Sequence, residues 1–306
     1  MLNFNQKTIR SEIKFEGVGL HNGKKVKMTL LPAPPNSGIK FKRVDLRNNN
    51  FINAIYSNVK DPLLCTIIQN QHNVSVSTIE HLMGALYGEK IDNLLIEIDS
   101  DEVPILDGSA KDFVSRLRTV GLKNYDTPKK YIKILKKFEY REKEKFISIE
   151  PCENNLIIDF EIIYKNPFIG SQRKVMNFTK DNLEQIYNSR TFCLFEDVDK
   201  IKQMGLAKGG SLDNAVVVQG DKVLNESGTR HENEFVMHKI LDCLGDLMLS
   251  KYNIIGKIKC SQGGHKLTND FLQELFIDKS NFSTIQFKET KLPNIIIDND
   301  SLAVPA

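Results

Sequence analysis

The order in which two periodicities alternate constrains this chain more than any single motif. Apolar and polar residues alternate with period two at residues 24–31 (KKVKMTLL), 38–42, 93–98 and 146–150, as in half-buried strands. Helical periodicity is confined to residues 77–87, 110–120, 179–189, 234–250 and 267–275. Strands thus come in runs with pairs of helices after them, and this happens twice. The order predicts an α+β fold rather than a doubly wound parallel sheet. Two similar domains are expected, each a mostly antiparallel sheet packed against two helices, with the active site between them. Turn-formers and a proline at residues 123–130 (KNYDTPKK), just after a helix that should end at Gly121, divide the chain into residues 1–125 and 126–306. A length of 306 residues accommodates two such units, each with its own core.

Charge and cysteine usage narrow the class of partner. Lys and Arg number 42 against 39 Asp and Glu, a formal net charge of +3, with no basic block that could track a phosphate backbone. Nucleic acid is therefore not expected as a partner. The cysteines, Cys65, Cys152, Cys193, Cys243 and Cys260, are odd in number, far apart and never spaced as C-x-x-C, the usage of a reducing compartment. Residues 1–15 are polar and carry no apolar leader, and no window approaches the ~18 apolar residues of a membrane span. A cytoplasmic protein without a transmembrane segment is expected.

The helix at 234–250 sorts into two faces at about 100° per residue. Met237, Ile240, Leu241, Leu244 and Met248 form an apolar stripe, and His238, Asp242 and Asp246 follow one another at i, i+4 and i+8 beside it. Gly245, on the edge between them, leaves room for something to approach. A row of His-Asp-Asp beside a glycine reads either as ligand chemistry or as a solvated face. Ser77-Thr78-Ile79-Glu80-His81 is open in the same way. Ser77 with Glu80 matches a capping box, or else His81 binds a metal and Glu80 takes a proton from water. Together His81, His238 and Asp242 supply two nitrogens and one oxygen, the donor set of a catalytic zinc site with an open fourth position. A carboxylate such as Glu80 could then complete deprotonation of a water acidified by the metal. His265 follows two glycines, which reads as a flexible loop; if that loop lies beside the helix at 234–250, Asp246 would keep the ring protonated and suited to act as an acid.

These residues are carried by motifs that resemble the UDP-3-O-acyl-N-acetylglucosamine deacetylases, the zinc amidases of lipid A biosynthesis. The resemblance runs over most of the chain, from about Thr8 to Leu275. It rests on GVGLHNG at 17–23, STIEHL at 77–82, VPILDGSA at 103–110, SRTF at 189–192, GGS at 209–211, EFVMHKILD at 234–242 and Gly264-His265. Departures from the family pattern stand at Cys193, Met237 and Gly263. The resemblance implies a metal held by His81, His238 and Asp242, zinc or iron(II) in the cell. It makes Glu80 the general base, His265 the acid, Asp246 its orienting partner and Thr191 a hydroxyl for the oxyanion. Lys239 would engage the substrate diphosphate, Phe192 the sugar, Lys145 and Tyr164 the nucleotide, and Leu20 and Cys65 would lie at the mouth. Residues 192–218 would form an apolar passage for the acyl chain, lined by Met204, Leu206, Ala207, Ala215 and Val217.

The expected reaction is hydrolysis of the N-acetyl group of UDP-3-O-(3-hydroxyacyl)-N-acetylglucosamine to acetate and a free amine, by a monomer. The alternatives are a related metallohydrolase with another amide or ester substrate, and a non-catalytic sugar-nucleotide-binding metalloprotein. Residues 299–306 (NDSLAVPA) read as a frayed terminus or as the point where a regulatory protease acts.

Overall fold

A computed structural model describes residues 4–62 and 64–287, together with the strand Ile296–Ile297. The tail at 299–306 lies outside the described residues. The chain begins with β1 Asn5–Ile9, β2 Ile13–Val18, β3 Lys25–Pro32, β4 Ile39–Arg43 and β5 Phe51–Asn53. Short strands β6 Ile68–Gln69 and β7 Ser75–Val76 precede helix α1 Glu80–Gly88, and β8 Leu94–Ile98 leads to α2 Lys111–Val120. Six strands follow: β9 Leu122–Pro128, β10 Lys130–Ile134, β11 Phe138–Glu142, β12 Lys145–Glu150, β13 Leu156–Ile163 and β14 Ser171–Asn177. Then come α3 Glu184–Asn188, β15 Phe192–Leu194, α4 Phe195–Gln203, β16 Val216–Gln219 and β17 Lys222–Val223. The chain continues through α5 Glu234–Met248, β18 Asn253–Ser261, α6 His265–Ile277, β19 Phe282–Gln286 and β20 Ile296–Ile297.

The expected α+β class holds. One sheet has the order β2-β3-β8-β4-β5, antiparallel except where β4 runs parallel to β8. A larger sheet has the order β11-β12-β18-β10-β19-β20, with β13 also on β18 and β14 on β13. Its central strand β18 alternates buried Ile258 and Cys260 with exposed Lys257 and Lys259, the period of a strand covered on one face.

Between the sheets α1 packs on α5. Leu82, Met83 and Leu86 from α1 and Ile240, Leu241 and Leu244 from α5 are fully buried, in one apolar cluster that reaches Phe41 and Ile96 in the first sheet and Ile158 and Phe160 in the second. Each such leucine contributes about 1.5–3 kcal/mol by leaving water. The two helices approach closely because each is glycine at the contact. A Cβ on Gly245 would stand 2.1 Å from the Glu80 carbonyl oxygen, and one on Gly84 would stand 2.7 Å from Leu241 Cδ1. The room beside Gly245 is thus filled by the backbone of α1.

Three sequence expectations change. Residues 123–130, read as a turn-rich break, lie mostly in β9, because the main chain there pairs with β1 and Tyr125 donates its hydroxyl to Ala33 O. The helix at 179–189 shrinks to α3, since Thr179 N donates to Asn177 Oδ1 and Asn177 N to Asp181 Oδ2, bonds that compete with a helix. Helix α4 was not expected. Its apolar face is only Val198 and Ile201, both half-buried, which is too short to stand out in the sequence.

Candidate active site

The start of α1 is set by strain and its compensation. Thr78 has φ of 56°, a left-handed conformation that is costly for a β-branched residue. It is held because Ser77 N donates to Asp101 O, Val103 N donates to Ser77 O, and Thr78 Oγ1 donates to Glu102 Oε1 at 2.9 Å. Glu102 is itself buried and accepts from His21 N and Asn22 N, both at 2.8 Å. The glycine at 19 is required here, since a Cβ would stand 2.5 Å from Glu102 Oε2. The capping box does not form. Ser77 Oγ donates to Asp101 O, and Glu80 Oε2 accepts from Thr66 N at 3.1 Å.

The crossing of α1 and α5 brings His81, His238 and Asp242 together, one donor atom from each within 4.8 Å of the others, all buried. His81 Nε2 stands 3.5 Å and His238 Nε2 3.4 Å from Asp242 Oδ1. His238 Nδ1 is 3.2 Å from Ser189 O, which can only accept, so the proton sits on Nδ1 and Nε2 presents a lone pair. Burial drives the His238 pKa down to about 3, which keeps the ring neutral. Asp242 Oδ1 therefore faces a nitrogen lone pair, is buried, and has no hydrogen-bond donor among the described residues. Such an arrangement is repulsive unless a cation lies between the groups. Tetrahedral N and O ligands at about 2.0–2.1 Å from zinc are about 3.3–3.4 Å apart, which these separations match. The other carboxylate oxygen, Oδ2, accepts from Lys239 Nζ at 2.7 Å. Burial opposes the charges of Asp242 and Lys239, and each holds the other ionised: Asp242 lies well below the usual carboxylate range and Lys239 above the usual lysine range.

His265 is the first residue of α6, buried, and not on a flexible loop. The glycine before it ends the extended stretch, and Gly263 is fixed by close approach, since a Cβ there would stand 2.3 Å from Cys260 Sγ. His265 Nδ1 lies 2.9 Å from Asp246 Oδ2, and Nε2 lies 3.6 Å from Glu80 Oε1 and 3.9 Å from Asp242 Oδ2. Burial opposes the imidazolium, but Asp246 and then Glu80 outweigh it and raise the pKa to about 9. Burial raises the Glu80 pKa above its ordinary value. The site thus holds a carboxylate ready to accept a proton and an imidazolium ready to give one.

The remaining predicted residues surround this cluster to different degrees. Thr191 is fixed by its main chain, its N–H donating to Gly108 O and its carbonyl accepting from Val216 N, both at 2.8 Å. The Phe192 ring lies 6.1 Å from His238 and 5.7 Å from Tyr164. Cys65 is buried beside the site, and burial with Glu80 pushes its thiol up to about 12. Leu20 O accepts from Gly209 N at 3.0 Å, joining the first motif to the end of the insert. In the insert β15 runs parallel to β16, with α4 crossing between them. Leu206, Ala207, Ala215 and Val217 are half-buried there, and Met204 is exposed. Lys145 stands at the exposed turn of the β11–β12 hairpin, opposite Glu142, and is not part of the cluster.

Three participants were not foreseen: Thr66, Glu102 and the carbonyl of Ser189. Two are single residues within no periodic pattern, and the third is a main-chain atom that no residue type encodes.

Comparison with known proteins gives the family. Residues 6–277 match the family described as UDP-3-O-acyl N-acetylglycosamine deacetylase. The UDP-3-O-acyl-N-acetylglucosamine deacetylase of Sodalis glossinidius is 40% identical over 292 residues, covering 94% of this chain and 95% of its own. The enzymes of that name from Actinobacillus pleuropneumoniae serotype 3 and Haemophilus ducreyi are each 38% identical over 289 residues and covered to 94% of their lengths. No helix among the described residues is long and apolar enough to cross a membrane. With the motifs, the buried His-His-Asp group and relatives matched along nearly their whole length, the chain belongs to the UDP-3-O-acyl-N-acetylglucosamine deacetylase family.

Proposed function

We infer that this chain hydrolyses the N-acetyl group of a UDP-3-O-(3-hydroxyacyl)-N-acetylglucosamine, releasing acetate and a free amine in lipid A biosynthesis. The observation that carries the reading is Asp242 Oδ1, buried without a donor between two histidine nitrogens. His81, His238 and Asp242 would hold zinc, or iron(II) in the cell. When bound, the metal supplies Lewis-acid polarisation of the amide carbonyl and acidifies water to a pKa of about 7.

Glu80 takes a proton from the attacking water as that water adds to the acetyl carbon. Its elevated pKa makes it a stronger base than an exposed glutamate, and burial excludes competing solvent. Negative charge gathers on the carbonyl oxygen, where the Thr191 hydroxyl and the His265 imidazolium stabilise it. His265 then gives its Nε2 proton to the amine nitrogen as the C–N bond breaks, and Asp246 keeps the ring charged and aimed. Separate groups for taking and giving the proton let one site do both at one pH.

Lys239 places a positive charge beside the cluster for the diphosphate. Phe192 and Tyr164 offer ring faces for the sugar and nucleotide, with Lys145 and Leu20 further out and Cys65 at the mouth. The β15–α4–β16 unit supports an acyl passage along Met204, Leu206, Ala207, Ala215 and Val217. A cytoplasmic monomer, divided near residue 125 and turned over by a protease acting at residues 299–306, completes the proposal.

Replacing Glu80 with Gln should lower acetate release by about 100–10,000-fold with metal content unchanged. His238→Ala should lose the metal. Full turnover in the first variant, or binding of the UDP-sugar by the wild type without acetate release, would overturn the reading.

A further inference from the structure

We propose that Thr66 is a positioning residue that holds the proton acceptor and the proton donor of the hydrolysis in one frame, a proposal that rests on the roles read above for Glu80 and His265. Thr66 is 2% exposed and precedes β6, where Lys60 N donates to Ile67 O and pins the loop. Among the described residues Thr66 alone hydrogen-bonds to both Glu80 and the Asp246–His265 pair. Its main-chain N–H donates to Glu80 Oε2 at 3.1 Å, which leaves Oε1 as the oxygen nearer His265. Its hydroxyl donates to Asp246 Oδ1 at 2.5 Å and lies 3.1 Å from His265 Nδ1.

The protons on these atoms can be assigned by counting. A hydroxyl has one hydrogen, and the Asp246 carboxylate can only accept, so that hydrogen goes to Asp246. Thr66 Oγ1 can then only accept from His265 Nδ1. The ring therefore carries hydrogen on Nδ1, shared between Asp246 Oδ2 and Thr66 Oγ1, and Nε2 is the nitrogen turned toward the reacting groups. Both carboxylate oxygens of Asp246 are occupied, one by each partner, so the carboxylate cannot rotate away from the ring. Threonine suits the task because its β-branch restricts χ1. The two arms come from distant parts of the chain, α1 on one side and α5 with α6 on the other, and Thr66 ties them together.

Side-chain replacement separates the two arms, since the N–H to Glu80 survives it. Thr66→Val, close in shape, should lower kcat by about 10–100-fold with KM and metal content unchanged, and Thr66→Ser should restore most of it. Thr66→Ala serves the same test if the valine variant does not fold. A second readout needs no turnover. In metal-free protein the His265 Nδ1 proton, identified by its loss in His265→Ala, should be visible and slow to exchange by proton NMR in wild type and Thr66→Ser, and exchange-broadened in Thr66→Val. Wild-type kcat with an unchanged His265 proton in Thr66→Val would overturn the inference, as would failure of folded Thr66→Ser to recover. Full turnover in both Glu80→Gln and His265→Ala would overturn the reading of the site on which it rests. Their loss alongside an unaffected Thr66→Val would overturn the positioning role alone.

Discussion

At His265 burial and charge act in opposition. Burial disfavours the imidazolium, and Asp246 with Glu80 favours it strongly enough to raise the pKa to about 9. Glu80 is displaced upward by burial. In the proposed reaction, turnover needs Glu80 ionised and His265 protonated. It should therefore rise with pH through a value above the ordinary glutamate range and fall as pH passes about 9. Asp246→Asn removes the largest favourable charge on the ring, so the alkaline limb of kcat/KM should move down toward the ordinary imidazole value. A limb that stays near 9 in that variant would assign it to another group. The same shift has a stability counterpart. A histidine whose pKa is raised by folding stabilises the fold fully below about 6.5, its unfolded value. That contribution is lost as pH rises through about 9, visible as a falling Tm in metal-free protein.

Among the elements, the α1–α5 crossing sets the geometry, and its glycines differ in what a methyl group would meet. At Gly245 it meets the Glu80 carbonyl, which is backbone and cannot turn aside; at Gly84 it meets mainly the Leu241 side chain, which can. Gly245→Ala should therefore cost about 1–3 kcal/mol in urea unfolding and also displace Glu80, lowering kcat, with a smaller loss for Gly84→Ala. Equal effects at the two positions would count against a crossing set by backbone contact. The same distinction explains what the residues disclosed. Helices α1, α2, α5 and α6 were legible because their buried faces recur at helical spacing, and β3, β4 and β8 because their alternation marks one covered face. Helix α4 buries no residue fully, and the two half-buried residues of its apolar face, Val198 and Ile201, are too few to mark a helix. Strand β9 exists through hydrogen bonds to β1, which its turn-formers do not announce. At the site, His238, Asp242 and Asp246 stood out at four-residue spacing. Thr66 and Glu102 did not, since what defines them is which distant carboxylate or hydroxyl folding brings near.

For the molecule as a whole, the donor groups come from both sides of the chain's midpoint, and the helices carrying them share one apolar core. An ion bound there clamps α1 to α5, so its free energy adds to that of the entire fold. At a free metal concentration about 1,000 times Kd the gain is about 4 kcal/mol. Chelation should lower Tm by several degrees in a single transition, and His238→Ala should abolish the difference. A chelator that leaves Tm unchanged would show that the clamp carries no load.

The ribosome makes a chain in one direction, and this one delivers Glu80 and His81 long before Asp242 or His265. Until α5 has been synthesised, the face of α1 that carries Glu80, His81 and Gly84 has no helix across it, and His81 is without its fellow donors. The nascent first half therefore carries a helix face that only later synthesis can cover, and the His-His-Asp group is incomplete until α5 has emerged. A chain cut short before α5 lacks two of the three candidate donors, His238 and Asp242, so on the proposed reading the order of synthesis also sets when the metal can be bound.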